Sequence, residues 1–144
     1  MEAPRGDRRH PPALRGLAEE AEQENCYHWA IVLKETGELI GDISVMRADD
    51  YQETGSVGYC MGKRWWGRGY MTEAFREVLR YCFEEVGFYR VSGSHAAGNM
   101  GSSRVVEKCG LKKEGVCRSA FRLLLSGERV DIVDRGILRE EYHG

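Results

Sequence analysis

The chain has 144 residues, 42% hydrophobic and 31% charged, and its 21 Lys+Arg against 23 Asp+Glu give a formal net charge of −2. This is the composition of one soluble globular domain, large enough to bury a core without staples, and it excludes a nucleic-acid binder that works through bulk positive charge. No apolar run approaches the ~18–20 residues of a membrane helix, and the N-terminus lacks the apolar stretch of a secretory leader, so neither a membrane nor an export role is expected.

All three prolines fall in the first twelve residues, beside Arg5, Asp7, Arg8 and Arg9. Residues 1–11 therefore read as a solvated tail and 12–144 as a single domain. Residues 12–24 predict a modest helix, with Pro12 tolerated in its first turn. The period then changes. Residues 28–34 are rich in strand formers, 35–38 form a turn and 39–46 a second strand, which makes a hairpin. A polar loop covers 47–54. Residues 55–61 alternate again as a third strand, with Val57, Tyr59 and Met61 on one side.

Gly62 to Gly69 is a glycine-rich basic loop. A helix follows over 70–86, its apolar residues Met71, Ala74, Phe75, Val78, Leu79, Cys82 and Val86 falling on one face. Gly87 is placed to end it in a left-handed cap. A strand at 88–94 comes next. Asn99 caps a short helix that runs to Cys109, and Gly110 closes it. Two strands, 111–123 and 129–138, flank a turn at 126–128. The order predicts an α+β fold: a mixed, mostly antiparallel sheet flanked by helices in three layers, with one parallel strand–helix–strand step around 70–86.

The five cysteines are odd in number and form no C-x-x-C pair, and the four histidines are scattered. Reduced thiols, a cytoplasmic setting and no metal site are expected.

The chemistry is concentrated between Gly58 and Thr72. A strand feeds a loop with Gly67 and Gly69, and a long helix starts at once. Free amides of the first helical turn and the helix dipole suit phosphate oxygens. Lys63, Arg64 and Arg68 add positive charge. A Walker A loop would need Lys and Ser/Thr where Arg68 and Gly69 stand, and a dinucleotide fingerprint would need glycine at Thr72. Both are rejected. Arg64-Trp65-Trp66-Gly67-Arg68-Gly69 instead fits R/Q-x-x-G-x-G/A, the pyrophosphate signature of acetyl-coenzyme-A-dependent N-acetyltransferases.

On that loop the chain resembles the GNAT superfamily, and most closely the branch of ribosomal-protein N-terminal acetyltransferases. Trp66 to Ala74 resembles that branch's loop and helix start. Asn99-Met100-Gly101-Ser102, Glu107-Lys108 and Gly110-Leu111 resemble its second block, with Leu111 where Phe is usual. The similarity covers roughly residues 28–142. The family's first strand and helix are not found. The expectation is a chain cut short at its front, or one that borrows that strand from a neighbour across the bare edge of strand 28–34, as a homodimer.

The resemblance implies direct acetyl transfer from acetyl-CoA, a co-substrate, to a primary amine: a protein N-terminus (a ribosomal protein among the options) or a small-molecule amine. Strands 55–61 and 88–94 would splay to admit the pantetheine arm. Cofactor contacts are expected from Cys60, Met61, Gly62, Arg64, Gly67, Arg68, Gly69, Tyr70, Met71, Thr72, Asn99 and Ser102. Backbone amides near Cys60-Met61-Gly62 would polarise the thioester carbonyl.

Ser102 is the candidate donor to the leaving thiolate, against a plain first-turn hydroxyl, with Tyr70 or Tyr89 as substitutes. Asn99 would hold the pantetheine arm, or simply cap its helix. Glu53 and His95 are the nominees for general base, against ordinary surface residues. Cys60 is read as a pleat residue beside the thioester, with an acetylated nucleophile as the lesser option. Trp65 and Trp66 pack behind the loop, or stack a base. Arg104, Lys108, Lys112 and Lys113 would meet a 3′-phosphate, or form a solvated face. Two other readings stand beside the transferase: a non-catalytic acyl-CoA-binding module, and a nucleotide-phosphate binder.

Overall fold

The computed structural model describes residues 14–16 and 26–144. Seven strands form one sheet: β1 (Leu14–Gly16), β2 (Tyr27–Val32), β3 (Leu39–Asp49), β4 (Thr54–Met61), β5 (Arg90–Ala96), β6 (Lys112–Arg122) and β7 (Arg129–Leu138), laid out as β1-β2-β3-β4-β5-β7-β6. The β4–β5 pair is parallel and every other pair is antiparallel. The mixed, mostly antiparallel sheet is the one read from the sequence.

The N-terminal segment differs from expectation. Within the helix expected over 12–24, Leu14–Gly16 is a strand that pairs with Trp29–Ile31 of β2; the rest of that stretch lies outside the described residues. The edge that suggested a borrowed strand and a dimer is thus covered, over these residues, by the chain itself. An edge strand presents a row of unpaired N–H and C=O groups, a template on which another strand pairs.

Helix α1 (Tyr70–Arg80) connects β4 to β5, and a π-helical stretch, Tyr81–Val86, continues it. Gly87 ends the run at φ +87°, the left-handed cap its position predicts. The expected apolar face is the buried one: Met71, Ala74, Phe75, Val78, Leu79 and Cys82 meet Ile31, Ile43, Val45, Val57 and Val91 of the sheet. Trp29 is fully buried and stacks edge-on with Tyr81, centroids 5.5 Å apart. The wider π turn brings Tyr81 and Phe83 into the core beside Cys82, which a strict 3.6-residue period would not do.

Helix α2 (Met100–Lys108) lies on the same face, and Asn99 Oδ1 caps it by accepting from the Ser102 amide at 3.1 Å. Beneath it Arg135, 8% exposed, donates through Nε to His95 Nε2 at 3.1 Å and reaches Ser103 Oγ at 3.4 Å and Glu107 at 3.5 Å. This buried cation ties α2 to the centre of the sheet.

Gly55 sits where β4 passes under Phe88. A Cβ there would stand 2.8 Å from both Phe88 Cε2 and Val45 Cγ1. Gly55→Ala is expected to lower stability by about 1–3 kcal/mol through overpacking. Urea melts with an unchanged midpoint would refute this reading of the β4–β5 junction.

Candidate active site

The site begins where two strands part. β4 and β5 pair over only four positions, Thr54↔Arg90 to Val57↔Gly93. Beyond them β4 stays locked to β3 as far as Met61↔Gly41, and β5 to β7 as far as Ala96↔Ile132. Gly58–Met61 and Ser94–Ala96 therefore diverge, as expected of the two strands. The Gly62 amide donates to Ile40 O at 3.0 Å, on the β3 side. Strand alternation then turns the Cys60 amide to β3 as well, and those of Tyr59 and Met61 to the split. Of the three amides expected near the thioester, Met61 is thus the available donor and Gly62 is already engaged.

At the mouth of the split the loop closes on itself. Trp65 N donates to Gly62 O at 2.9 Å, Trp66 N to Lys63 O at 3.1 Å, and Trp66 Nε1 to Met61 O at 2.8 Å. Gly67 and Gly69 have φ of +75° and +84°, which an L side chain resists, although a Cβ at either would meet nothing within 4 Å. Their requirement is the backbone turn, not space. Gly69 precedes α1 and has no side chain with which to cap it, so among the described residues no side chain caps the first amides of the helix.

Arg64 and Arg68 lie 4.6 Å and 5.6 Å from the centre of the Trp65 ring. Trp65 thus holds two guanidiniums by cation–π contact. Trp66, read as core packing, is instead 62% exposed.

A cavity of about 720 Å³ joins loop, split and α2. Its wall contains Cys60, Met61, Gly67, Gly69, Tyr70, Met71, Thr72, Asn99 and Ser102 from the expected set, with Arg104 and Lys108. Gly62, Arg64 and Arg68 stand outside the wall. A larger groove of about 1190 Å³ between α1 and the C-terminal residues shares Gly69, Thr72 and Lys108 but contains neither the split nor Ser102; the smaller cavity is the one the motif builds. Lys112 is paired with Glu141 at 2.7 Å, and neither it nor Lys113 lines the cavity.

Of the two general-base nominees, Glu53 is remote from this place, and His95 stands on the β5 side of the split but is buried and engaged. Glu53 sits at the opposite end of β4, seven residues and about 23 Å from Cys60 at ~3.3 Å per residue. There its carbonyl accepts from the Tyr89 amide at 2.7 Å and its carboxylate lies 3.9 Å from Arg139. His95 is 7% exposed, its Nδ1 is 2.8 Å from Ala96 O, and its Nε2 faces Arg135 Nε. An arginine only donates, so the proton is on Nδ1 and the Nε2 lone pair is already used. Tyr89 is also remote, hydrogen-bonded to Glu140 at 2.5 Å.

The sequence reading missed two features. His28 Nε2 lies 3.5 Å from Asp42 Oδ2, and Asp42 is directly opposite Cys60 in the β3–β4 ladder. With Ala30 paired to Asp42 and His28 to Ser44, all share the sheet face turned away from α1 and α2. Alternation along β2 and β3 could have revealed it, given the register. The second is Tyr59, on the helix-covered face, whose hydroxyl oxygen is buried. Burial pushes the phenol's pKa up, and the neighbouring Ser102 partly offsets the rise. The buried Cys109 thiol is pushed up to about 11 by desolvation and is inert, whereas Cys60 is exposed.

The model of the acetyltransferase (GNAT) domain matches residues 5–112. The chain is 35% identical over 106 residues to "Probable N-acetyltransferase YjcK" of Bacillus subtilis (strain 168), covering 73% of this chain and 59% of that protein. It is 34% identical over 108 residues to "Putative ribosomal N-acetyltransferase YdaF" of the same organism, covering 75% and 58%. The chain therefore spans under two thirds of the length of these relatives. A solved structure titled as that of a probable acetyltransferase superposes with a TM-score of 0.77 at 30% identity, covering 86% of this chain and 68% of that one. On the family match, the fold and the loop geometry together, this chain belongs to the acetyltransferase (GNAT) domain family.

Proposed function

We propose that this chain moves an acetyl group from acetyl-CoA to a primary amine. The observation that carries the reading is the parting of β4 from β5 beside a glycine loop and a helix N-terminus that no side chain caps among the described residues. The first amides of α1 take the pyrophosphate, with Arg104 and Lys108 on the wall beside it. The unpaired amides of the split receive the pantetheine arm, and the Met61 N–H faces the thioester carbonyl as charge develops there.

The arm enters from the helix side, so the acetyl group is presented to the opposite face. There an acceptor that arrives as an ammonium meets the Asp42 carboxylate and gives one proton to water to become the free amine; we assign His28, beside it, to take the second proton, which the nitrogen loses as the amide forms. An α-amino group, with a pKa near ~8, needs only modest help of this kind. The name of YdaF makes a ribosomal-protein N-terminus the first acceptor to try. The five cysteines are all unpaired, which fits work in the reducing cytoplasm.

Thiol release from acetyl-CoA should be followed with ribosomal-protein N-terminal peptides, free amino acids, polyamines and aminoglycosides. Turnover with one of these classes, and none with N-acetylated peptide, is expected. Coenzyme A binding without turnover on any of them would replace the transferase with a binding module. With a working acceptor, His28→Asn should lower kcat at least ~10-fold and leave the KM for acetyl-CoA within about threefold; an unchanged kcat removes His28 from the chemistry. Gly67→Glu and Gly69→Glu place negative charge in the phosphate seat. Each should weaken coenzyme A binding ~100-fold or more while costing about 1–2 kcal/mol of stability from the left-handed backbone. Undiminished affinity by calorimetry would place the site elsewhere.

A further inference from the structure

Tyr59 carries a hydroxyl that its packing does not require. The ring contacts Phe75 edge-on, centroids 5.9 Å apart, and a phenylalanine would keep that contact. The oxygen is buried, yet it makes no hydrogen bond of full geometry among the described residues. Such a group is a standing cost in the empty protein, and a buried polar atom left in this state calls for a role. Its location supplies one. Tyr59 stands two residues past the last β4–β5 pair, where the split opens, and it lines the same cavity as Ser102. Ser102 spends its amide on Asn99 Oδ1, which fixes its backbone at the first turn of α2.

We infer that Tyr59 is a positioning residue for departure of the thiol: once the cofactor fills the cavity that both residues line, its O–H donates to Ser102 Oγ and so turns the Ser102 proton toward the sulfur. The inference rests on the acetyl-transfer reading. In that reaction the amine nitrogen bonds to the carbonyl carbon, the C–S bond breaks, and its electron pair stays on sulfur. Ser102 holds the thiolate with a charge-assisted hydrogen bond. The thiolate then takes a proton from water, while the new amide nitrogen releases one to His28. The phenol keeps its own proton throughout. Tyr59 acts by orientation alone, since a serine hydroxyl left to rotate would point at the sulfur only part of the time.

Free coenzyme A bound to the protein reports on this arrangement without turnover. A donor aimed at the thiolate favours the charged form and lowers the pKa of the bound thiol. The midpoint is read from thiolate ultraviolet absorbance, as a difference from the same protein holding desulfo-coenzyme A, which cancels the protein's own cysteines. The wild type is expected to titrate its bound thiol below free coenzyme A. Tyr59→Phe should raise that midpoint by about one pH unit, Ser102→Ala by a similar amount, and the double variant by no more than either, as for two groups on one path.

With a working acceptor, Tyr59→Phe should also lose at least ~10-fold in kcat with the KM for acetyl-CoA within about threefold, and its melting temperature should hold or rise because an unsatisfied group has gone. A midpoint unmoved by Tyr59→Phe overturns the inference, as does a melting temperature that falls together with coenzyme A affinity. A lowered midpoint in a wild type that acetylates no amine sinks the transferase reading and leaves the thiolate site standing.

Discussion

The parting of β4 from β5 is the constraint on which the remaining structure depends. It is possible because each strand is held from its far side. β3 accompanies β4 through Met61, and β7 accompanies β5 through Ala96. Neither strand needs the other beyond Val57 and Gly93. What separation leaves is a pair of backbone edges with unmet hydrogen-bonding capacity in a partly enclosed place, which is costly unless something with amides of its own fills it. An extended ligand with peptide-like groups suits that gap in a way a compact one does not.

Charge at the site is local rather than global. The chain is close to neutral, so the attraction for an anion comes from helix amides and a few fixed cations instead of a broad field. Trp65 contributes by stacking both Arg64 and Arg68, which places them at the loop without placing them in the cavity wall. This division splits the motif's four expected contact residues into two kinds. Gly67 and Gly69 shape the turn before the helix and line the cavity, whereas Arg64 and Arg68 rest on the Trp65 ring outside its wall.

Features set by neighbours in sequence were legible; features set by register were not. The buried face of α1 follows from spacing, Gly87 and Gly110 from their places after apolar runs, and Asn99 from its position before a helix. Each is fixed within one or two turns of chain. The π-helical turn was not, because Tyr81 packs against Trp29 on a distant strand and Phe83 against Tyr142 near the far end of the chain. Glu53 and His95 were misjudged for the same reason. Proximity in sequence to a strand end says nothing about which end of the sheet it is, or whether a buried arginine from β7 has already taken the imidazole. Leu14–Gly16 lost its helical reading to an edge that needed pairing. His28 and Asp42 are fourteen residues apart, and only the hairpin register brings them together.

On the proposed reading of the site, the faces of the sheet separate two demands that conflict chemically. The leaving sulfur needs donors that never surrender a proton to the attacking nitrogen, while that nitrogen needs an acceptor. On the helix-covered side are two hydroxyls, Tyr59 on β4 and Ser102 on α2. On the other are an imidazole and a carboxylate, His28 and Asp42. Strand alternation makes this segregation automatic: Tyr59 and Cys60 are adjacent in the chain and so must point to opposite faces. A one-residue slip of β4 would exchange them, putting the phenol beside the carboxylate and the thiol under α2. The β3–β4 ladder therefore fixes more than the fold, because its register decides which of these two sets of groups stands on which face of the sheet.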